Sequence, residues 1–190
     1  MARYTPPRPW EPLSDAEFAA LAPFFTHQGA GRPILDLRGR LDAIFRLVTT
    51  RDPWRDLPPE MGPWGTAHRQ FRRWAHAGIW SRLLRAVAAQ RAPAALRRVE
   101  HWICRAFRRA LRILGLAGIA LARRLGMASA VNGPFWMLPD PDLSETLLPR
   151  VLELLKPGGG LPSRAAIRLA LAVHALIGGR QRIPPCLEPA

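Results

Sequence analysis

Several simple devices are missing from this chain. It has two cysteines in 190 residues, Cys104 and Cys186, too few for a disulfide scaffold. With no C-x-x-C pair a zinc ribbon is excluded as well, and both cysteines are expected to be reduced thiols. The longest uncharged apolar run, Ile113 to Ala122, is about half of the ~20 residues that a spanning helix needs. The start, Met1 to Pro12, has no apolar core of signal-peptide type, so no export signal is expected. Lysine is nearly absent: Lys156 is the single one.

What is abundant is arginine. Lys+Arg 28 against Asp+Glu 14 gives a formal net charge of +14, a balance that seeks polyanions. Arginines are densest from Trp64 to Arg91, which has no acid, and from Arg97 to Arg124, where Glu100 alone opposes them. Apolar residues at 48% suffice for a helical core, while 20 Pro and 15 Gly divide the chain into short segments. The expected class is all-α: a small helical bundle containing a helix-turn-helix, followed by a second group of helices.

Periodicity places the elements. Ser14 followed by Glu17 is a capping box opening a short helix with Phe18, Leu21 and Phe24, expected to end near Pro23. Asp36 caps a second helix in which Leu37, Leu41, Ile44, Phe45 and Val48 form an apolar stripe. Residues 51–64 carry Pro53, Pro58, Pro59, Pro63 and Gly62, so an ordered turn pinned by Trp54, Leu57 and Trp64 is expected there. Gly65 and Thr66 open a third helix, with Ala67, Phe71 and Trp74 on one face and Arg69, Arg72, Arg73 and His76 on the other. A fourth helix, Ile79 to Gln90, presents Trp80, Leu83, Leu84 and Val87 inward.

A stripe helix, a turn and an arginine-faced helix fit a helix-turn-helix reader, whose second helix enters the major groove. The planar arginine fork bonds a guanine edge or clamps a phosphate. The same arginines also fit a merely solvated surface, and the tryptophans fit a core better than a base-stacking platform. Histidines 27, 68, 76, 101 and 174 lack metal-ligand spacing, so no metal site is expected.

Leu13-Ser-Asp-Ala-Glu-Phe18, Gly31-Arg-Pro33, Asp36-Leu-Arg38, Pro53-Trp-Arg-Asp-Leu-Pro58, Gly62-Pro-Trp64 with Thr66, Arg69-Gln-Phe-Arg-Arg-Trp74 and Gly78-Ile-Trp80 follow one another in a characteristic order. In that order and spacing, residues 13–90 resemble the N-terminal region of bacterial insertion-sequence transposases of types four and five. The resemblance implies a helical module, residues 1–92, that binds double-stranded DNA at the element's terminal inverted repeats, in a cytoplasmic, nucleoid-associated setting. On this reading Arg69, Arg72 and Arg73, flanked by His76, meet base edges and phosphates. Arg38, Arg40, Arg55 and Arg82 touch the backbone.

In that family an RNase-H-like domain follows, with three carboxylates holding two Mg2+ ions. Beyond residue 92 the acids are Glu100, Asp140, Asp142, Glu145, Glu153 and Glu188, and their spacing builds no such triad. The chain is therefore expected to hold no catalytic residues and no cofactor of its own. Mg2+ would enter only with a separately encoded catalytic subunit, a partner considered alongside a homodimer.

The second half, residues 93–190, reads as helical, with a proline-rich tail. Leu96, Val99, Ile103, Phe107, Ala110 and Leu114 form the apolar stripe of a basic amphipathic helix over 94–125, opposite Arg98, Arg105, Arg108, Arg109 and Arg112. Such a helix fits the DNA backbone, an anionic membrane surface or a core contact with a solvated face. The alternative to DNA binding is thus a protein-interaction or membrane-surface module built on 94–125. Further helices are expected at Ser144 to Lys156 and, capped by Ser163, at Arg164 to Ile177.

Overall fold

The computed structural model describes residues 3–25, 34–133 and 163–177. The expected helix at 144–156, the Gly31-Arg-Pro33 element, His27 and the tail lie outside them. The described residues are helical and contain no strand, giving the all-α class; Arg3 and Met127 form an isolated parallel bridge. The helices are α1 (Asp15–Phe25), α2 (Leu37–Thr50), α3 (Trp64–His76), α4 (Ile79–Ala88), α5 (Ala94–Arg98), α6 (Glu100–Arg124) and α7 (Arg164–Ile177). Short 3-10 turns occur at Trp54–Asp56, Pro59–Met61 and Ala128–Ala130.

The capping signals form as read. The Glu17 amide donates to Ser14 Oγ at 3.4 Å and the Ser14 amide donates to Glu17 Oε2 at 3.0 Å, a reciprocal box. Asp36 Oδ1 accepts from the Gly39 amide at 2.8 Å, and Ser163 Oγ from Ala166 at 3.1 Å. α1 runs past Pro23 to Phe25, because a proline in the last turn removes only one hydrogen bond while Leu21 and Phe25 gain burial.

One buried cluster extends from Leu13 to Val131 and crosses residue 92 without a break. Phe45 of α2 meets Trp80 of α4 at 6.3 Å and Trp102 of α6 at 5.8 Å between ring centroids, so α6 closes the same core as α1–α4. Trp80, Trp102, Phe45 and Phe107 are all fully buried there. The expected single helix over 94–125 is instead broken twice. Val99 leaves helical geometry between α5 and α6, and Gly115 (φ 60, ψ −147) kinks α6, a conformation that only glycine adopts freely.

The N-terminal segment straps the two halves together. The Arg3 amide donates to the Gly126 carbonyl and the Arg3 carbonyl accepts from Ala128 at 2.9 Å, while the Thr5 amide donates to Ser129 Oγ at 2.8 Å. Arg3 pairs with Glu100 at 2.8 Å, and Thr5 Oγ1 donates to the same carboxylate at 2.7 Å. Glu100, the lone acid in a run of arginines, is thus the buried anchor of the strap.

Candidate nucleic-acid interface

The rotation of α3 follows from its apolar residues. Ala67, Phe71, Trp74 and Ala75 are buried, and the Trp80 indole N–H donates to the Phe71 carbonyl at 3.3 Å, fixing α3 against α4. Phe25 and Trp74 pack with centroids 4.4 Å apart, and Phe71 and Trp80 at 5.2 Å. What remains outward is Arg69, Arg72, Arg73 and His76, all exposed. At 3.6 residues per turn these four positions span roughly 100° of the helix circumference, one continuous polar stripe that carries three arginines. Among the described residues, none of the four has an ion-pair partner, so the stripe keeps its charge for an external anion.

The connection from α2 to α3 differs from the expected tight turn. Residues 51–63 hold two 3-10 turns pinned by buried Leu57 and half-buried Trp54, while Trp64 stands 42% exposed. Trp54 packs on His68 and Phe71 of α3 at 5.1 and 5.2 Å. Burial, with Arg72 and Arg109 nearby, holds the His68 imidazole below its usual range, so it is neutral at physiological pH. A two-residue turn, Ala77-Gly78, links α3 to α4, with Gly78 at φ 70.

The remaining expected contacts are scattered. Arg38 is engaged within the fold: it pairs with Asp15 at 2.6 Å, donates to the Leu13 carbonyl and lies over the Phe18 ring. Arg40 is half-buried in the first turn of α2, whereas Arg55 and Arg82 are exposed.

Two arginines of the polar face of α6, Arg105 and Arg109, meet the end of α2, while Arg112 is exposed. Arg105 Nε donates to the Val48 carbonyl at 3.1 Å, and Arg109 donates to the Leu47 carbonyl at 3.0 Å and to the Asp52 carbonyl at 3.2 Å. The last carbonyls of α2 have no helical partner, and α2 carries no basic residue in its own last turn. α6 supplies the missing donors and cations to the negative end of that helix dipole. Arg109 also lies 4.5 Å over Trp54, which ties α6 to the α2–α3 connection. Sequence periodicity shows a helix's own faces but not the end of another helix that one face meets.

The described carboxylates do not assemble a metal pair. Glu17 accepts from Arg8 at 2.8 Å, Glu100 from Arg3 and Thr5, Asp36 from Gly39, and Asp42 from the Leu13 amide at 2.9 Å. Among the described residues no group of three or more His, Cys, Asp or Glu is placed to hold a metal ion. Burial pushes the Cys104 thiol up to about 12, leaving it an unreactive core residue. No described helix is long and apolar enough to cross a membrane.

Comparison with curated proteins and with solved structures gives no match. A family model does match: residues 13–84, less than half of the chain, fit the family described as "putative transposase of IS4/5 family". The match runs from the α1 capping box to the middle of α4 and falls within the stretch whose motifs carry the resemblance.

Proposed function

We propose that this chain is a sequence-specific DNA-binding protein of transposase type, the part that recognises terminal inverted repeats, and that it lacks the catalytic carboxylates for strand cleavage. The observation that carries the reading is the α3 stripe, in which Arg69, Arg72, Arg73 and His76 are exposed together, without an ion-pair partner among the described residues, on a helix packed by its aromatic face. Arg55 and Arg82 are assigned to the flanking phosphates. Arg38 and Arg40, the first of them held by Asp15, set the pose of α2 and complete the backbone contacts. The helix-turn-helix role belongs to α2 and α3, with the 51–63 connection as an extended turn. The protein acts without a cofactor, and cleavage would be supplied by a separate catalytic subunit.

The test is selection of bound sequences from a randomised duplex pool by the full chain, followed by titration of the selected duplex and a scrambled control at several salt concentrations. A base-reading arginine should cost ~1–3 kcal/mol on replacement by alanine and relax the preference at one position. A phosphate-contacting one should lower affinity for all sequences and reduce the salt slope by about 1. If Arg69→Ala/Arg72→Ala/Arg73→Ala binds the selected duplex as tightly as the parent, the assignment of α3 is wrong.

A further inference from the structure

A second cationic feature lies away from the α3 stripe. Where the C-terminus of α2 meets α6, a concave cavity of about 380 Å3 is lined by Arg51, Arg105, Arg108, Arg109, Arg112 and Asn132. This volume falls within the range of small-ligand sites. Among the described residues no carboxylate lines it; Asp52 acts on Arg109 from outside the lining. Five guanidiniums around one space repel one another, and desolvation adds to the cost of their charge. The consequence is visible on Arg105, Arg108 and Arg109, each held below the ordinary arginine range by burial first and by neighbouring arginines second.

Arginine stays protonated at any physiological pH, so the repulsion left after the α2 carbonyls are bonded favours a bound anion. Two of the five have a structural task, since Arg105 and Arg109 bond the end of α2. Arg108 donates to Asn132, which orients its fork along the wall of the cavity. Arg51 and Arg112 have no such task. Arg51 in addition sits at φ 69, where a non-glycine residue is uncommon and where glycine would end the helix without strain. The left-handed helix end, held here by arginine rather than glycine, places one more guanidinium in an already repulsive cluster at a cost in stability.

We propose that this cavity is a phosphoryl-binding site, in which Arg51, Arg108 and Arg112 clamp the oxygens of a phosphate or pyrophosphate group while Arg105 and Arg109 complete the positive field. The group comes either from a free oligophosphate or from a nucleic-acid backbone. The site is separate from the α3 stripe and does not depend on that stripe reading DNA.

The experiment titrates sodium pyrophosphate into the full chain by calorimetry and thermal melting, with sodium chloride at matched ionic strength as reference. Saturable binding and a rise in Tm are expected with pyrophosphate, and neither with chloride. Arg51→Gly and Arg112→Gln should each weaken pyrophosphate binding about tenfold. Arg51→Gly should also raise the Tm of the unliganded protein, because it removes both the left-handed strain and one repelling charge. The α3 variant Arg69→Ala/Arg72→Ala/Arg73→Ala should bind pyrophosphate as the parent does, which separates this site from the DNA-reading proposal. Displacement of a labelled random duplex from that α3 variant by pyrophosphate assigns the site to a backbone phosphate; pyrophosphate binding without displacement assigns it to a free ligand. Absence of saturable binding, or binding unchanged in both Arg51→Gly and Arg112→Gln, overturns the proposal.

Discussion

Arg8 engages Trp102 with both its side chain and its main chain: the guanidinium carbon lies 4.2 Å from the indole centroid, and the Arg8 carbonyl accepts the indole N–H at 3.2 Å. The same guanidinium donates to Glu17, which is 2% exposed, and to the Arg98 carbonyl at 2.9 Å. One residue of the strap thereby joins α1, α5 and α6. Burial pushes the Glu17 carboxyl up, but hydrogen bonds from Arg8 and Ser14 outweigh it and hold the group below the usual range.

Removing that cation should be costly. Arg8→Ala leaves a buried carboxylate with only its Ser14 contacts, and a cost of about 1–3 kcal/mol is expected from urea denaturation. Adding Glu17→Gln to Arg8→Ala should recover part of the loss, since the stranded charge is then gone. A loss under about 0.5 kcal/mol, typical of ordinary surface sites, would show that the strap does not hold the fold.

Acid should weaken the protein in two steps. The His68 and His101 imidazoles are held below their usual range, His101 by burial and then by Arg105 and Arg51. A depressed pKa gives stability that is present above the unfolded value, about 6.5 for histidine, and is lost as pH falls through the folded one. Glu17 follows the same sign at lower pH. Asp42 has the opposite sign, because burial raises it despite the Leu13 amide. Its contribution is present at low pH and lost as pH rises through the raised value, so Asp42→Asn should gain stability at neutral pH. Denaturation midpoints at pH 7.5, 5.5 and 3.5 check both steps, and His101→Gln should flatten the first.

What was legible in the sequence was local. Ser14, Glu17 and Asp36 announce helix starts because a cap satisfies amides within three residues of itself, a distance that sequence spacing encodes. Asp36→Ala should accordingly cost about 1 kcal/mol in thermal melts. The outward set Arg69, Arg72, Arg73 and His76 was legible because Phe71 and Trp74 fix which side of α3 is inward. The strap and the inward turn of Arg105 and Arg109 were not legible. Arg3 meets Glu100, and Arg109 meets Leu47, across long stretches of chain, and no local periodicity records such pairings. The isolated acid Glu100 was the one available hint of a buried ion pair.

The α3–α4 turn isolates a single physical term. Gly78 has φ 70, and a Cβ added there would meet nothing within 4 Å. Gly78→Ala should therefore cost about 1 kcal/mol through backbone conformation alone, with no packing contribution. Gly78→Asn should cost less, because asparagine tolerates the left-handed region better. Equal losses for the two in thermal melts would mean that sterics, not the dihedral, set the turn.

Arg109 offers the sharpest contrast between charge and geometry. Its guanidinium reaches the Leu47 and Asp52 carbonyls and covers Trp54, which in turn packs on His68 and Phe71 of α3. A lysine keeps the positive charge at the end of α2 but has no planar fork to bond two carbonyls while stacking on an indole. Arg109→Lys should thus lose about 1–2 kcal/mol, the worth of one or two net hydrogen bonds, although the formal charge is unchanged. Because Trp54 lies between Arg109 and α3, the same variant should alter tryptophan fluorescence and weaken duplex binding without touching the α3 stripe. Arg85→Lys on α4, exposed and without such contacts, should change neither, and this pair of variants separates a positioned guanidinium from a mere positive charge.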